Sequence, residues 1–169
     1  MQVLVVHLGN TKHLHQIPSS IEKLVMVNCY INTQHCKYLA NLKQLRHLNV
    51  SDNEIQYKGY KYLENFKQLQ ELNVSGNDIG PQGCKYLINM TQLIKLNVSE
   101  NDIGPQGCKY LAKLTQLQEL NVFGNNIGPQ GCKYLANLTQ LQKLYVYGYE
   151  IGSEGYEHLT KINHCRIEI

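Results

Sequence analysis

Six cysteines, seven histidines and a recurring Gly-Pro-Gln-Gly are the parts of this 169-residue chain that chemistry would most readily use. Thiolates and imidazoles ligate zinc, a glycine-rich loop before a helix cradles phosphate, and a Ser beside His and Asp attacks acyl groups. The spacing argues against all of these. Cys84, Cys108 and Cys132 stand 24 residues apart, as do Ser51, Ser75 and Ser99, and Gly-Pro-Gln-Gly opens at Gly80, Gly104 and Gly128. A catalytic site is singular, whereas these residues are copied at a fixed interval, as structural slots are. Free Cys is among the residues most often buried, so the cysteines read as one column of small core side chains. Cys29, His35 and Cys36 lie close in sequence, but zinc motifs pair two such spacings and no second half follows. His13 with His15, and His164 with Cys165, are isolated pairs. The expectation is a protein without catalytic residues, metal or cofactor.

Composition narrows the partners. Lys and Arg number 16 against 13 Asp and Glu, a net charge of +3, which is low for a protein devoted to phosphate binding. The pairs Lys37–Tyr38, Lys61–Tyr62, Lys85–Tyr86, Lys109–Tyr110 and Lys133–Tyr134 would suit a nucleic-acid backbone. Tyrosine rings, however, commonly lie on helix grooves with the hydroxyl in water, so nucleic acid is not the expected partner. A hydrophobic content of 43% with 17% charged residues excludes a disordered tail. No apolar run reaches the ~20 residues of a membrane helix, and the N-terminus lacks the basic start and apolar core of an export signal. Free thiols, a cytoplasmic protein and unused sequons at Asn73-Val-Ser75 and Asn89-Met-Thr91 are expected accordingly.

The elements that position these residues follow from the same interval. The chain reads LQELNVSGNDIGPQGCKYLINMTQ from Leu69, LIKLNVSENDIGPQGCKYLAKLTQ from Leu93 and LQELNVFGNNIGPQGCKYLANLTQ from Leu117. Related units begin at Ile21, Leu45 and Leu141, so six units of 24 residues span 21–164, with a shortened capping unit at 1–20 and a capping strand at 165–169. Leu4 and Val6 are the expected strand of the first cap, Ile167 and Ile169 of the last. Within a unit the hydrophobic period switches. Leu72 and Val74 alternate with Glu71, Asn73 and Ser75, the signature of a half-buried strand. Cys84, Leu87 and Met90 recur three apart, as on one stripe of a short helix, and Pro81 fits its first turn. Gly83, Gly107 and Gly131 are expected where helix and strand layers approach closely. Neither element buries its apolar side alone, so neighbouring units must stack around a shared core. The strands then form a parallel sheet about 4.8 Å apart, and the wider helices on the other side bend the stack so that the strand face is concave.

The positions Leu69, Leu72, Val74, Asn77 and Ile79, repeated at Leu93 through Ile103 and Leu117 through Ile127, match the LxxLxLxxNxL strand segment, and the chain resembles the leucine-rich repeat proteins. The 24-residue unit with GCKYLA is similar to the GALA-type variant, related to ribonuclease-inhibitor-like repeats. The resemblance implies an α/β fold, a right-handed solenoid with parallel strands on its concave face and short helices on its convex face. It also implies a protein-binding module rather than an enzyme. GALA-type relatives include bacterial effectors delivered into host cells, where an F-box recruits ubiquitin-ligase machinery; no F-box-like segment is recognisable here, so that role does not carry over. Inhibition of an enzyme, substrate recognition within an effector, and a self-stacking structural segment remain alternatives.

Under this architecture Asn53, Asn77, Asn101 and Asn125 form a column that satisfies turning backbone in neighbouring units, with Cys29 and Tyr149 in its end slots. The strand positions facing a partner are His47 and Asn49; Glu71 and Asn73; Lys95 and Asn97; Glu119, Asn121 and Phe123; Lys143, Tyr145 and Tyr147, together with Ser51, Ser75 and Ser99. Glu71, Lys95, Glu119 and Lys143 alternate in sign, which predicts a self-satisfied ladder, and the outward asparagines are expected to hydrogen-bond along their own column. Phe123, Tyr145, Tyr147 and Tyr149 replace Ser, Asn, Ser and Asn of the unit pattern, and read equally as a binding hot spot or as a cap over the open end of the core. The expected partner is another protein, and the chain a monomer unless its ends stack.

Overall fold

The computed structural model describes residues 3–5 and 11–169. Eight short strands, β1 (Val3–Val5), β2 (Lys23–Val25), β3 (His47–Asn49), β4 (Glu71–Asn73), β5 (Lys95–Asn97), β6 (Glu119–Asn121), β7 (Lys143–Tyr145) and β8 (Arg166–Glu168), pair in parallel in chain order in one open sheet. The register is fixed by the central apolar residue, since Leu24, Leu48, Leu72, Leu96, Leu120 and Leu144 lie side by side. The final step is one residue shorter, Leu144 pairing Ile167, and the first pairs Leu4 with Leu24. Val6, expected in the first strand, lies outside the described residues. Ile169, expected in the last, follows β8 instead and is 69% exposed.

Among the described residues six α-helices return the chain on the convex side: α1 (Cys36–Leu39), α2 (Tyr60–Leu63), α3 (Gly80–Leu87), α4 (Gly104–Leu111), α5 (Gly128–Leu135) and α6 (Gly148–Leu159). The central three carry Gly-Pro-Gln-Gly, with Pro in the first turn, where its missing N–H costs no bond. In the first two units Asn32-Thr33-Gln34-His35 and Gln56-Tyr57-Lys58-Gly59 replace that sequence, and the α-helix shrinks to one turn. Gly152, at φ +60°, kinks α6.

The three central units contribute the same buried set. Leu72 and Val74 from the strand, Ile79 from the loop, Cys84 and Leu87 from the helix, and Met90 and Leu93 from the return are all essentially inaccessible. Cys36, Cys84, Cys108 and Cys132 are free thiols in one column, and burial pushes Cys84 and Cys36 up to about 12 and Cys132 up to about 11. The glycines beside them serve a tighter contact than a helix–strand approach. A Cβ on Gly107 would lie 2.6 Å from the Ile103 Cβ and 3.2 Å from Cys84 Sγ. The same contact recurs at Gly59, Gly131 and Gly155, where the helix rests on its own loop isoleucine and on the cysteine of the unit before; at Gly83 the ring of Tyr60 takes the place of that cysteine.

Tyr60 occupies the cysteine slot of the second unit, fully buried, and its hydroxyl has no hydrogen-bond partner among the described residues. Burial pushes its phenol well above the ordinary value. Tyr60→Phe removes an unsatisfied donor and keeps the ring, so it should stabilise the fold by about 1 kcal/mol in urea denaturation. An unchanged or lowered midpoint would show that the hydroxyl is solvated.

The asparagine column ties one unit to the next. Asn125 Nδ2 donates to the carbonyls of Val98 (2.8 Å), Val122 (3.1 Å) and Phe123 (3.2 Å), while its Oδ1 accepts from the N–H groups of Asn101 (3.1 Å) and Ile103 (3.2 Å). Asn53, Asn77 and Asn101 repeat the pattern, reaching back to Met26, Val50 and Val74 respectively. Where Tyr149 takes the slot, the neighbouring Glu150 substitutes: its Oε2 accepts from the N–H groups of Asn125 (3.4 Å) and Asn126 (3.1 Å).

Candidate functional site

The first and last residues of β3 to β7 line the concave face as two columns, because a strand turns alternate side chains to one side and the middle leucine points into the core. A shallow groove of about 450 Å³ crosses this face from Lys23 to Tyr145. The parallel register sets His47, Glu71, Lys95, Glu119 and Lys143 side by side, and beside them Asn49, Asn73, Asn97, Asn121 and Tyr145.

The expected charge ladder is broken into pairs. His47 Nδ1 meets Glu71 Oε2 at 2.9 Å without the alignment of a hydrogen bond, and Lys95 Nζ meets Glu119 Oε2 at 3.5 Å. Lys143 leaves the series, its Nζ lying 4.6 Å from the Tyr145 ring centroid, and a hydrogen bond with Tyr145 holds its ammonium above the ordinary value. At the last strand Arg166 Nε pairs Glu168 Oε1 at 2.7 Å. Exposed pairs of this kind contribute little to stability.

The outward asparagines do not bond along their column. Each Oδ1 instead accepts the backbone N–H two residues on, Asn49 from Ser51, Asn73 from Ser75, Asn97 from Ser99 and Asn121 from Phe123, at 2.9–3.0 Å. The amide thus closes a turn at the strand's exit, a bond shorter in sequence than any across the sheet. The turn also corrects the expectation for the serines: Ser51 and Ser99 are drawn in and buried, and only Ser75 stays partly accessible. With their oxygens engaged, the four Nδ2 groups have no partner among the described residues and face the groove.

The aromatic residues stay in solvent. Phe123, Tyr147 and Tyr149 are 41%, 40% and 91% exposed, and their rings form a strip with centroids 5.1 Å and 5.7 Å apart. They do not cap the core, whose end is packed by Ile151, Leu159 and Ile162 with Cys165 and Ile167 against them. Tyr149, expected in a turn, stands in the first turn of α6. On the convex side Tyr38, Tyr86, Tyr110 and Tyr134 pack partly against the core, whereas Tyr62 is exposed.

The remaining chemical candidates are dispersed. Cys29 and Cys36 are buried, His35 Nδ1 accepts the Asn32 N–H at 3.1 Å, and the His13 and His15 rings lie 6.3 Å apart. Among the described residues no three His, Cys, Asp or Glu side chains gather as metal ligands, and no helix is long and apolar enough to cross a membrane. Sequence reasoning missed Glu150, whose role beside the vacant asparagine slot had no counterpart in the other units.

Comparison with known proteins agrees with the geometry. Residues 19–162 match the family model described as a leucine-rich repeat region. No curated protein matches the chain. Of 243 matching solved chains, one is the leucine-rich repeat protein LIC12759 of Leptospira interrogans, 22% identical with a TM-score of 0.72; the match covers 100% of this chain and 49% of that one. The chain spans about half the length of that relative, and at this identity the likeness is one of fold. With the family model spanning nearly every unit of the stack, the chain belongs to the leucine-rich repeat family.

Proposed function

We propose that this chain is a protein-binding module that receives its partner on the concave strand face, anchored by Phe123, Tyr145 and Tyr147. Leucine-rich repeat domains generally mediate protein–protein interaction, and the groove supplies polar groups already fixed in place. The observation that carries the reading is the strip Phe123–Tyr147–Tyr149: three rings left in water at slots where the second, third and fourth units hold Ser or Asn. Large rings bury much area for little lost rotamer entropy, which is why they dominate binding hot spots. The free Nδ2 donors of Asn49, Asn73, Asn97 and Asn121 would supply hydrogen bonds to an extended partner at strand spacing.

The test compares the native chain with a Phe123→Ser, Tyr145→Asn, Tyr147→Ser variant in affinity capture from cell extract with quantitative mass spectrometry. The variant restores the unit pattern at exposed positions, so far-UV circular dichroism should show it folded. At least one protein should be retained by the native chain and depleted about tenfold by the variant. Identical capture profiles from two folded chains would remove the aromatic strip from the binding site.

A further inference from the structure

Where the loops that lead from strand to helix in the second to sixth units carry charge, it is of one sign. Segments 50–56, 74–80, 98–104, 122–128 and 146–152 hold every aspartate of the chain, Asp52, Asp78 and Asp102, with Glu54, Glu100 and Glu150, and contain no Lys, Arg or His. Asp102 and Glu100 are exposed and form no ion pair among the described residues. Glu100 adjoins the aromatic strip: its N–H donates to the Phe123 carbonyl at 2.9 Å, and its Cγ lies 3.2 Å from where a Cβ on Gly124 would be. It also holds a φ of +56° in a slot that the flanking units fill with Gly76 and Gly124. Asn28 and Asp52 hold the same slot at φ +52° and +55° in the first two units, so the left-handed turn belongs to the unit, and beside the rings Glu100 adds a carboxylate to it.

The basic groups of the strand face do not offset this rim. Lys95 and Arg166 are paired with Glu119 and Glu168, and Lys143 is turned onto Tyr145. That last contact also shows the chemistry on offer, an ammonium held over a half-buried ring. Beside the strip a hollow of about 500 Å³, lined by Tyr147, Tyr149 and Ile169 with Gly148 and Gly152, presents mostly apolar surface.

We infer that the Phe123–Tyr147–Tyr149 strip with the Glu100 rim docks an extended segment of a partner protein that carries Arg or Lys side chains. The cationic heads stack on the rings and face the carboxylates, and the aliphatic stems lie in the hollow. This rests on the reading of the strand face as a partner-binding surface, and it adds the chemistry of what binds.

Fluorescence anisotropy with a labelled peptide of alternating Arg and Ser, against one of alternating Glu and Ser, tests it on the full chain. The arginine peptide should bind saturably, and its affinity should fall about threefold or more as salt rises from about 50 to about 300 mM. Phe123→Ser with Tyr147→Ser should weaken binding about tenfold, while Lys109→Gln on the convex side leaves it unchanged. Glu100→Gly should raise the urea midpoint and still weaken binding about threefold; a role in the fold alone would move only the midpoint. Absence of saturable binding, equal binding of the glutamate peptide, or an unchanged affinity in the folded double variant overturns the inference. If the arginine peptide fails while the triple variant still loses a captured protein, the binding surface stands and the basic-segment chemistry falls.

Discussion

Asn125→Ala is expected to destabilise the fold by about 3 kcal/mol, whereas Asn121→Ala, four residues earlier, should cost about 1 kcal/mol or less. Both residues are asparagines, but Asn125 is fully buried and its amide serves five backbone groups drawn from two units. Truncation leaves three carbonyls and two N–H groups short of a partner where water does not reach. Asn121 serves one N–H, that of Phe123, in an exposed turn where solvent replaces it. Asn125→Asp sharpens the comparison, since it keeps the acceptor and sets an oxygen against three carbonyls; it should lose at least as much as the alanine. Urea denaturation followed by far-UV circular dichroism gives the values. Equal losses at 121 and 125 would mean that the column does not join the units as described.

Glycine substitutions within a single helix should separate overpacking from backbone strain. Gly107→Ala places a Cβ 2.6 Å from the Ile103 Cβ, an atom fixed to backbone, and 3.2 Å from Cys84 Sγ. The helix must lift from the preceding unit, at about 2–3 kcal/mol. Gly104→Ala meets nothing within 4 Å, but Gly104 sits at φ +57°, so the cost is conformational and about 1 kcal/mol. Asparagine tells the two apart because it tolerates the left-handed region. Gly104→Asn should be milder than Gly104→Ala, and Gly107→Asn worse than Gly107→Ala. The reverse order in thermal unfolding would place the close contact at the wrong glycine.

Much of the fold was legible because each unit repeats its evidence. A single Leu72–Val74 alternation or Cys84–Leu87 spacing is weak, but copies at a fixed interval leave one way to bury them, and the register of β3 to β7 follows directly. What the pattern did not reveal lies in side-chain choices with two competing partners. Asn73 could reach its neighbour across the sheet or its own strand exit, and the local bond wins because it closes with less entropy lost. Lys143 faced a carboxylate or a ring, and the ring of Tyr145 lay within reach. The binding face itself was inferred from departures from the unit at Phe123, Tyr145 and Tyr147, whereas Glu100 escaped attention because its strain exists only in φ, which letters do not show.

The backbone bonds of the sheet run both ways between units, but the asparagine amides and the glycine seats run one way. Asn125 satisfies groups of the unit before it, and Gly107 seats on the cysteine of the unit before it, so each unit is finished by its successor. Such a stack has polarity, and its two directions of growth are not equivalent. Adding a unit ahead of another requires only that the newcomer offer a carbonyl, an N–H and a buried side chain in the cysteine slot, as the first five units do. Adding one behind requires a donor and acceptor aimed backwards, and where the amides run out the carboxylate of Glu150 takes over the accepting half of that task.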